Sequence, residues 1–202
     1  EQAASAISAT LHNLKRSSLS NLNVNLETAA SDRALAEWEF LLPLSSTGIT
    51  GEGLSEIFAR HARNDEERAY ARDLTSLVGQ TLSGMLTGYI DRLVRAERGW
   101  GVVDWKSNYL GSHYADYSRP ALWRCAAQQH YLLQVHLYLV ALRRYLRLFH
   151  LKPLASSLSG YLLFLRGVRP NTNLGVLEIT PSESLLDDLE TLFRSSTTED
   201  VP

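Results

Sequence analysis

With 202 residues, 45% apolar and 21% charged, the chain is long enough for one sizeable core and has the composition of a globular domain. A net charge of −2 excludes a global basic field, so any nucleic-acid contact must rest on a local patch. The single cysteine, Cys125, excludes an internal disulfide framework and a multi-cysteine metal centre, and it points to a reducing, cytoplasmic compartment.

Apolar runs are broken by charge before they reach membrane-spanning length, and no charged-then-apolar leader is present, so no membrane partner is expected. The chain opens on Glu1 and holds one methionine, Met85, and it reads as a piece of something longer. Residues 3–19 carry apolar positions at helical spacing and predict a helix. AEWEFLLPL, residues 36–44, alternates before turning fully apolar, which predicts a strand stopped by Pro43. The glycines of STGITGEG predict a loop. Helices are expected over GLSEIFARHAR (53–63) and NDEERAYARDLTSLVG (64–79), the second with acids in its first turn as the dipole favours. Two strands follow at about 83–97 and 100–107, then one long helix from Arg119 to Phe149 entered through Pro120. GYLLFLRGV (160–168) and GVLEIT (175–180) read as strands, and SLLDDLETLFRSS (184–196) as a last helix. The polar tail from Ser195 to Pro202 reads as an unstructured end. Strands with helices on both sides of them give an α/β class with a mixed sheet.

The informative stretch is GYIDRLVRAERGWGVVDWKSNYLG, residues 88–111, which sets Asp91, Asp104 and Lys106 among valines and tryptophans. With Arg98-Gly99 as a two-residue turn, residue 97 pairs with 100, Asp91 lies opposite Lys106, and Asp104 lies opposite Leu93. All three charged groups then share one face, and a slip of one residue would scatter them. Two buried carboxylates are tolerable around a hard divalent cation, which prefers oxygen ligands. The plainer alternative is a salt bridge between Lys106 and one acid on a half-exposed hairpin. Val102, Val103 and Trp105 weigh against it, because they make the second strand look buried on both faces.

These residues carry a resemblance. GxxD (Gly88 to Asp91), DxK (Asp104 to Lys106) and QxxxY (Gln134 to Tyr138) form the pattern of the PD-(D/E)xK nuclease superfamily. The wider run GMLTGYIDRLV…GVVDWKSNYLG, with EWEFLLPL upstream and QVHLYLVALRRYLR and YLLFLRGV downstream, resembles the RecB-type nuclease domain over about residues 24–170. The resemblance implies a restriction-endonuclease-like core, a central mixed β-sheet flanked by α-helices. It implies one nuclease domain over 1–202, with an N-terminal helix to residue 23, a core over 24–170, and a C-terminal strand and helix over 171–202. It makes Asp91, Asp104 and the main-chain carbonyl of Trp105 ligands of Mg2+, Lys106 the catalytic lysine, and Glu39 a supporting acid near the metal. Gln134 and Tyr138, with Ser107 and Asn108, are the residues expected at the DNA, and Arg143, Arg144 and Arg147 are candidates for flanking phosphates. The family's metal-binding histidine stands well upstream of the EWEF strand. His12 is only 27 residues before Glu39, so that ligand is expected to precede this sequence and the metal site here to be incomplete. His61, His113, His130, His136 and His150 fit no ligand position and read as surface or satisfied core. The implied activity is an Mg-dependent exodeoxyribonuclease of the exodeoxyribonuclease V type, weak in this piece alone. RecC-like and RecD-like subunits and the ends of single- and double-stranded DNA are the implied partners. No GxxxxGK[ST] occurs, so ATP would serve only a motor outside these residues. The alternative is a nuclease fold without activity, used as a subunit contact or a DNA clamp.

Overall fold

The computed structural model describes residues 2–29, 34–77, 82–150 and 157–194. In chain order they form α1 (Gln2–Lys15), two short strands β1 (Ser18–Leu19) and β2 (Val24–Asn25), and β3 (Ala34–Ile49). Next come α2 (Gly51–His61), α3 (Asp65–Asp73), β4 (Leu82–Ala96) and β5 (Gly99–Lys106). The remainder is α4 (Arg119–Gln128), α5 (Tyr131–Leu148), β6 (Ser157–Phe164), β7 (Val176–Ile179) and α6 (Glu183–Arg194). β1 and β2 pair with each other, and the other five strands make one sheet in the order β3-β4-β5-β6-β7. β4 and β5 are antiparallel, β5 and β6 parallel, and β6 and β7 antiparallel. The sheet is therefore mixed and the class is α/β, as expected. No described helix is long and apolar enough to cross a membrane.

The chain divides into two units, Glu1–Trp38 with Tyr89–Thr180, and Glu39–Gly88 with Pro181–Pro202. In the first, β5 is covered on both faces, which is why its apolar residues do not simply alternate. Val103 joins Leu19, Leu22, Leu26, Val94, Tyr161 and Leu163 in one apolar cluster, with Trp105 packed against it. Strand alternation sends Asp104 and Lys106 to the opposite face. There α5 lies against β5 and β6, while α4 packs on β7. Gly160 of β6 admits the helix: a Cβ there would stand 2.1 Å from Val135 Cγ1. In the second unit, Thr50 caps α2 by accepting from the Gly53 N–H at 3.2 Å, and Asn64 caps α3 at 2.9 Å from the Glu67 N–H. Asp188 of α6 binds His61 and Arg60, each at 2.8 Å, and these two bonds hold its carboxyl below the usual range.

Several sequence expectations change. β3 does not stop at Pro43 but runs on to Ile49, taking in the first half of the expected loop. As the first strand of the sheet order it has, among the described residues, a strand on one side only, and a proline lacking its N–H is tolerated on the other. Glu37, at φ +49, puts a left-handed residue into this strand, as bulges do. The helix expected to reach residue 79 ends at Asp73 and continues as a 3-10 turn, Leu74–Leu77. The strand expected over 160–168 is Ser157–Phe164, and the tail from Ser195 lies outside the described residues. The long helix is two: Gln129 ends α4, and His130, at φ +54, starts α5 on a new axis. That break lets each half follow its own strands. The hairpin register also differs. Ala96 pairs with Gly99 and Leu93 with Val102, so Glu97 and Arg98 form the turn, and Asp104 does not face Leu93. The shift is two residues, an even number, so the expected face is preserved.

Gly160→Ala should destabilise the fold by about 1–3 kcal/mol through overpacking against Val135. Urea titration should show most of the loss recovered in the double variant with Val135→Ala. A Gly160→Ala protein as stable as the parent would mean that α5 does not sit this close to β6.

Candidate active site

Asp104 and Lys106 are 5% and 8% exposed, an ion pair inside the protein. The ammonium of Lys106 faces Asp104 Oδ2, donates to Gln134 Oε1 at 2.8 Å, and lies 3.7 Å from the Tyr131 ring centroid. Gln134 in turn donates from Nε2 to the Tyr138 hydroxyl at 2.8 Å. Tyr131, Gln134 and Tyr138 stand three and four residues apart, so one helical stripe delivers all three. The Tyr131 hydroxyl donates to Asn108 Oδ1 at 3.3 Å, tying the helix to the segment leaving β5. Asp104 Oδ2 makes no hydrogen bond of ordinary angle, and the ion pair is its compensation.

Asp91 reaches the same place from β4. The regular ladder ends at Arg92–Val103. One step beyond it the register brings Asp91 beside Asp104, and Asp91 Oδ2 accepts from the Trp105 N–H at 2.8 Å. The N–H and C=O of one strand residue point to the same neighbour, so the Trp105 carbonyl also faces the β4 side. Electrostatics follow from this crowding. Burial pushes the Asp104 carboxyl up, Lys106 opposes that by hydrogen bond and charge, and the Asp91 charge pushes it further up. Burial, reinforced by Asp104 and Asp91, pushes the Tyr138 hydroxyl up to about 12 against the bond from Gln134. Burial raises the Cys125 thiol as well, with the Lys106 charge opposing.

Of the residues expected from sequence, Asp91, Asp104, Lys106, Gln134 and Tyr138 come together, with the Trp105 main chain beside them. Ser107 is exposed and Asn108 half-buried where the chain leaves β5. Glu39 lies on β3 in the second unit, on the exposed side of that strand. Arg143 and Arg144 are half-buried, and only Arg147 of the three arginines is exposed. His136 is core, with Nδ1 2.6 Å from the Leu132 carbonyl, and His61 belongs to the Asp188 pair. Tyr131 was missed from the sequence. Its signal was present, one turn before Gln134 on the same stripe. Among the described residues no group of three or more His, Cys, Asp or Glu could hold a metal. Two carboxylates, one with a buried oxygen met by the Lys106 ammonium, and an adjacent carbonyl are nevertheless oxygen donors of the type a hard divalent cation takes.

Comparison with known proteins agrees with this geometry. Residues 7–196 match the model of the PD-(D/E)XK nuclease superfamily. The chain is 29% identical over 178 residues to the RecBCD enzyme subunit RecB of Buchnera aphidicola, which covers 86% of this chain and 14% of that protein. It is 37% identical over 122 residues to the RecB of Haemophilus influenzae, 58% of this chain and 10% of that protein. It is 29% identical over 199 residues to the RecB of Escherichia coli, 83% of this chain and 16% of that protein. The chain thus corresponds to a small part, roughly a seventh, of the relatives it matches. With the motif residues gathered at one end of the central strands and the family match running over nearly its whole length, the chain belongs to the PD-(D/E)XK nuclease superfamily.

Proposed function

We propose that this chain is the nuclease domain of a RecBCD-type helicase-nuclease subunit and hydrolyses phosphodiester bonds of DNA with Mg2+. One observation carries this reading: Asp91, Asp104 and Lys106 meet where the β4–β5 ladder ends, with Lys106 held by Gln134. A structural ion pair needs no second carboxylate brought beside it, and a buried carboxylate with a half-buried one beside it is better explained by a cation and a phosphate. The RecBCD name of the relatives supports DNA as substrate and RecC-like and RecD-like subunits as partners in processing double-strand breaks. The ATP-driven motor would lie in the rest of such a subunit.

Asp91, Asp104 and the Trp105 carbonyl would hold the cation, which supplies Lewis acidity toward a phosphate oxygen and lowers the pKa of a water. Lys106 holds its ammonium where it orients the attacking water and offsets charge growing on the phosphoryl oxygens. Its position is fixed on three sides, by Asp104, by Gln134 Oε1 and by the Tyr131 ring. Gln134 and Tyr138 are positioning residues in this reading: Tyr138 is 8% exposed and its hydroxyl is engaged by Gln134, which passes that order on to Lys106. Ser107 and Asn108, at the mouth of the site, remain candidates for the DNA backbone.

Asp104→Asn and Lys106→Ala should each lower cleavage of single-stranded DNA about a hundredfold or more, with cooperative unfolding retained. Chelation of divalent cations should abolish cleavage by the parent. Near-parental rates in either variant would sink the assignment. Gln134→Ala should lower kcat about tenfold with KM little changed. A raised KM at unchanged kcat would instead place the Gln134 amide on the DNA. The Asp104 carboxyl, raised in the folded state, predicts a pH effect of definite sign. Between the ordinary carboxylate range and its raised value, the folded state binds more protons than the unfolded one. Stability therefore declines as pH rises through that window. Asp104→Asn should remove this part of the decline in chemical denaturation series at several pH values. An unchanged pH slope would show that Asp104 does not titrate as its burial implies.

A further inference from the structure

Two tyrosines stand exposed immediately after the catalytic strand, Tyr109 at 67% and Tyr114 at 44%. The loop that carries them is not loose. Beneath it lies Tyr117, 2% exposed, whose hydroxyl accepts from the Leu110 N–H at 3.3 Å and whose carbonyl accepts from the Gly175 N–H at 3.1 Å. The carboxylate of Asp116 accepts from the His113 N–H at 2.8 Å. The turn after β6 docks on the same ring, because a Cβ at Gly167 would stand 2.2 Å from Tyr117 Cγ. From that turn Arg166 donates through Nε to the Ser107 carbonyl at 3.2 Å and lies 6.0 Å from the Tyr109 ring centroid. Arg169 lies 3.4 Å from the Tyr114 ring centroid. A buried anchor thus holds the backbone of the two segments that carry these tyrosines and arginines, while the tyrosine rings stay in solvent.

We propose that Tyr109 and Tyr114, backed by Arg166 and Arg169, form a stacking platform for unpaired bases of the DNA strand leaving the Asp91–Asp104 site. This rests on the nuclease reading above and names the part of the substrate that the site grips. Each tyrosine has an arginine over one face and enough exposure for a base to lie on the other. Every base offers a π-face, so such a platform is indifferent to sequence. The arginines add cation–π attraction to the ring and a charge within reach of the adjoining phosphates. Their number also answers the weak net charge of the chain: a local patch, not a global field, holds the polyanion. The position fits. Tyr109 is three residues beyond Lys106, at most about 11 Å along the chain, so a strand bound at the carboxylates passes the ring. Because hydrogen bonds already tether the loop, little backbone entropy is lost when a base stacks.

The platform is tested on the whole chain by fluorescence anisotropy in EDTA, so that nothing is cut. Labelled oligothymidylate is compared with an abasic strand and an oligouridylate of the same length. The parent should bind oligothymidylate at least about fivefold tighter than the abasic strand. The double variant Tyr109→Leu with Tyr114→Leu should lose that margin, and Tyr109→Phe with Tyr114→Phe should keep it. Thermal melting should not separate the variants. The proposal is overturned if the parent does not prefer bases, or if the leucine variant binds oligothymidylate as the parent does. Equal loss on the abasic strand overturns it too, since the rings would then act on the backbone alone. Tighter binding of oligouridylate overturns the assignment to DNA. Cleavage in Mg2+ is read separately. Base-dependent binding with no cleavage even by the intact subunit would remove the nuclease reading and leave the platform, while cleavage without base preference would do the reverse.

Discussion

The buried pair of Asp104 and Lys106 is the constraint to which the surrounding structure answers. Desolvating two charges costs several kcal/mol per ion, and the pair persists only if its remaining hydrogen-bonding capacity is met. Asp104 cannot meet it alone: its buried oxygen has the ammonium and no hydrogen bond of ordinary angle. The compensation comes from α5, which brings the Gln134 carbonyl oxygen to the ammonium and lays the Tyr131 ring beside it. Helix and strand must therefore meet at a fixed distance, and Gly160 is the place where the backbone makes room. The left-handed residue at His130 serves the same end, since it frees α5 from the direction of α4.

Placing the pair in a strand covered on both faces has a second effect. The apolar cluster around Val103 and Tyr161 holds β5 from one side, so the side chains pointing the other way inherit a rigid base. Functional groups on such an element are held more closely than loop residues would be. The site lies where the β4–β5 ladder ends, and there the Asp91 carboxylate takes the Trp105 N–H in place of a backbone partner. The end of the ladder is thus the point where backbone pairing gives way to a side chain and two carboxylates meet.

Membership in a nuclease superfamily and the RecB relatives agree with this picture at different depths. The family match covers almost the whole chain, while the relatives extend far beyond it. The residues that define the family motif are those whose charges the fold labours to accommodate. Two neighbouring strands that bring two acids and a lysine together among apolar residues are a poor choice for stability alone, which is the usual signature of a site kept for chemistry.

The sequence by itself determined the parity of the hairpin, the identity of Asp91, Asp104 and Lys106 as one facing group, and the pairing of Gln134 with Tyr138 on one helical stripe. Those follow from periods of two and 3.6 residues, which need no knowledge of distant neighbours. It also carried the α/β class and most of the elements. It did not carry the turn, because Gly99 suggested Arg98-Gly99 where Glu97-Arg98 forms, a choice made by the pairing of whole strands. It did not carry the passage of β3 through Pro43, which depends on that strand standing first in the sheet order of the described residues. It missed the break at His130, since both halves have unbroken helical patterns and only their different strand partners separate them. Nor did it carry the partner of Gln134, which the resemblance placed at the DNA. Helical spacing shows which residues share a face, but what that face meets, here an ammonium from a strand 28 residues earlier, is decided by tertiary packing alone.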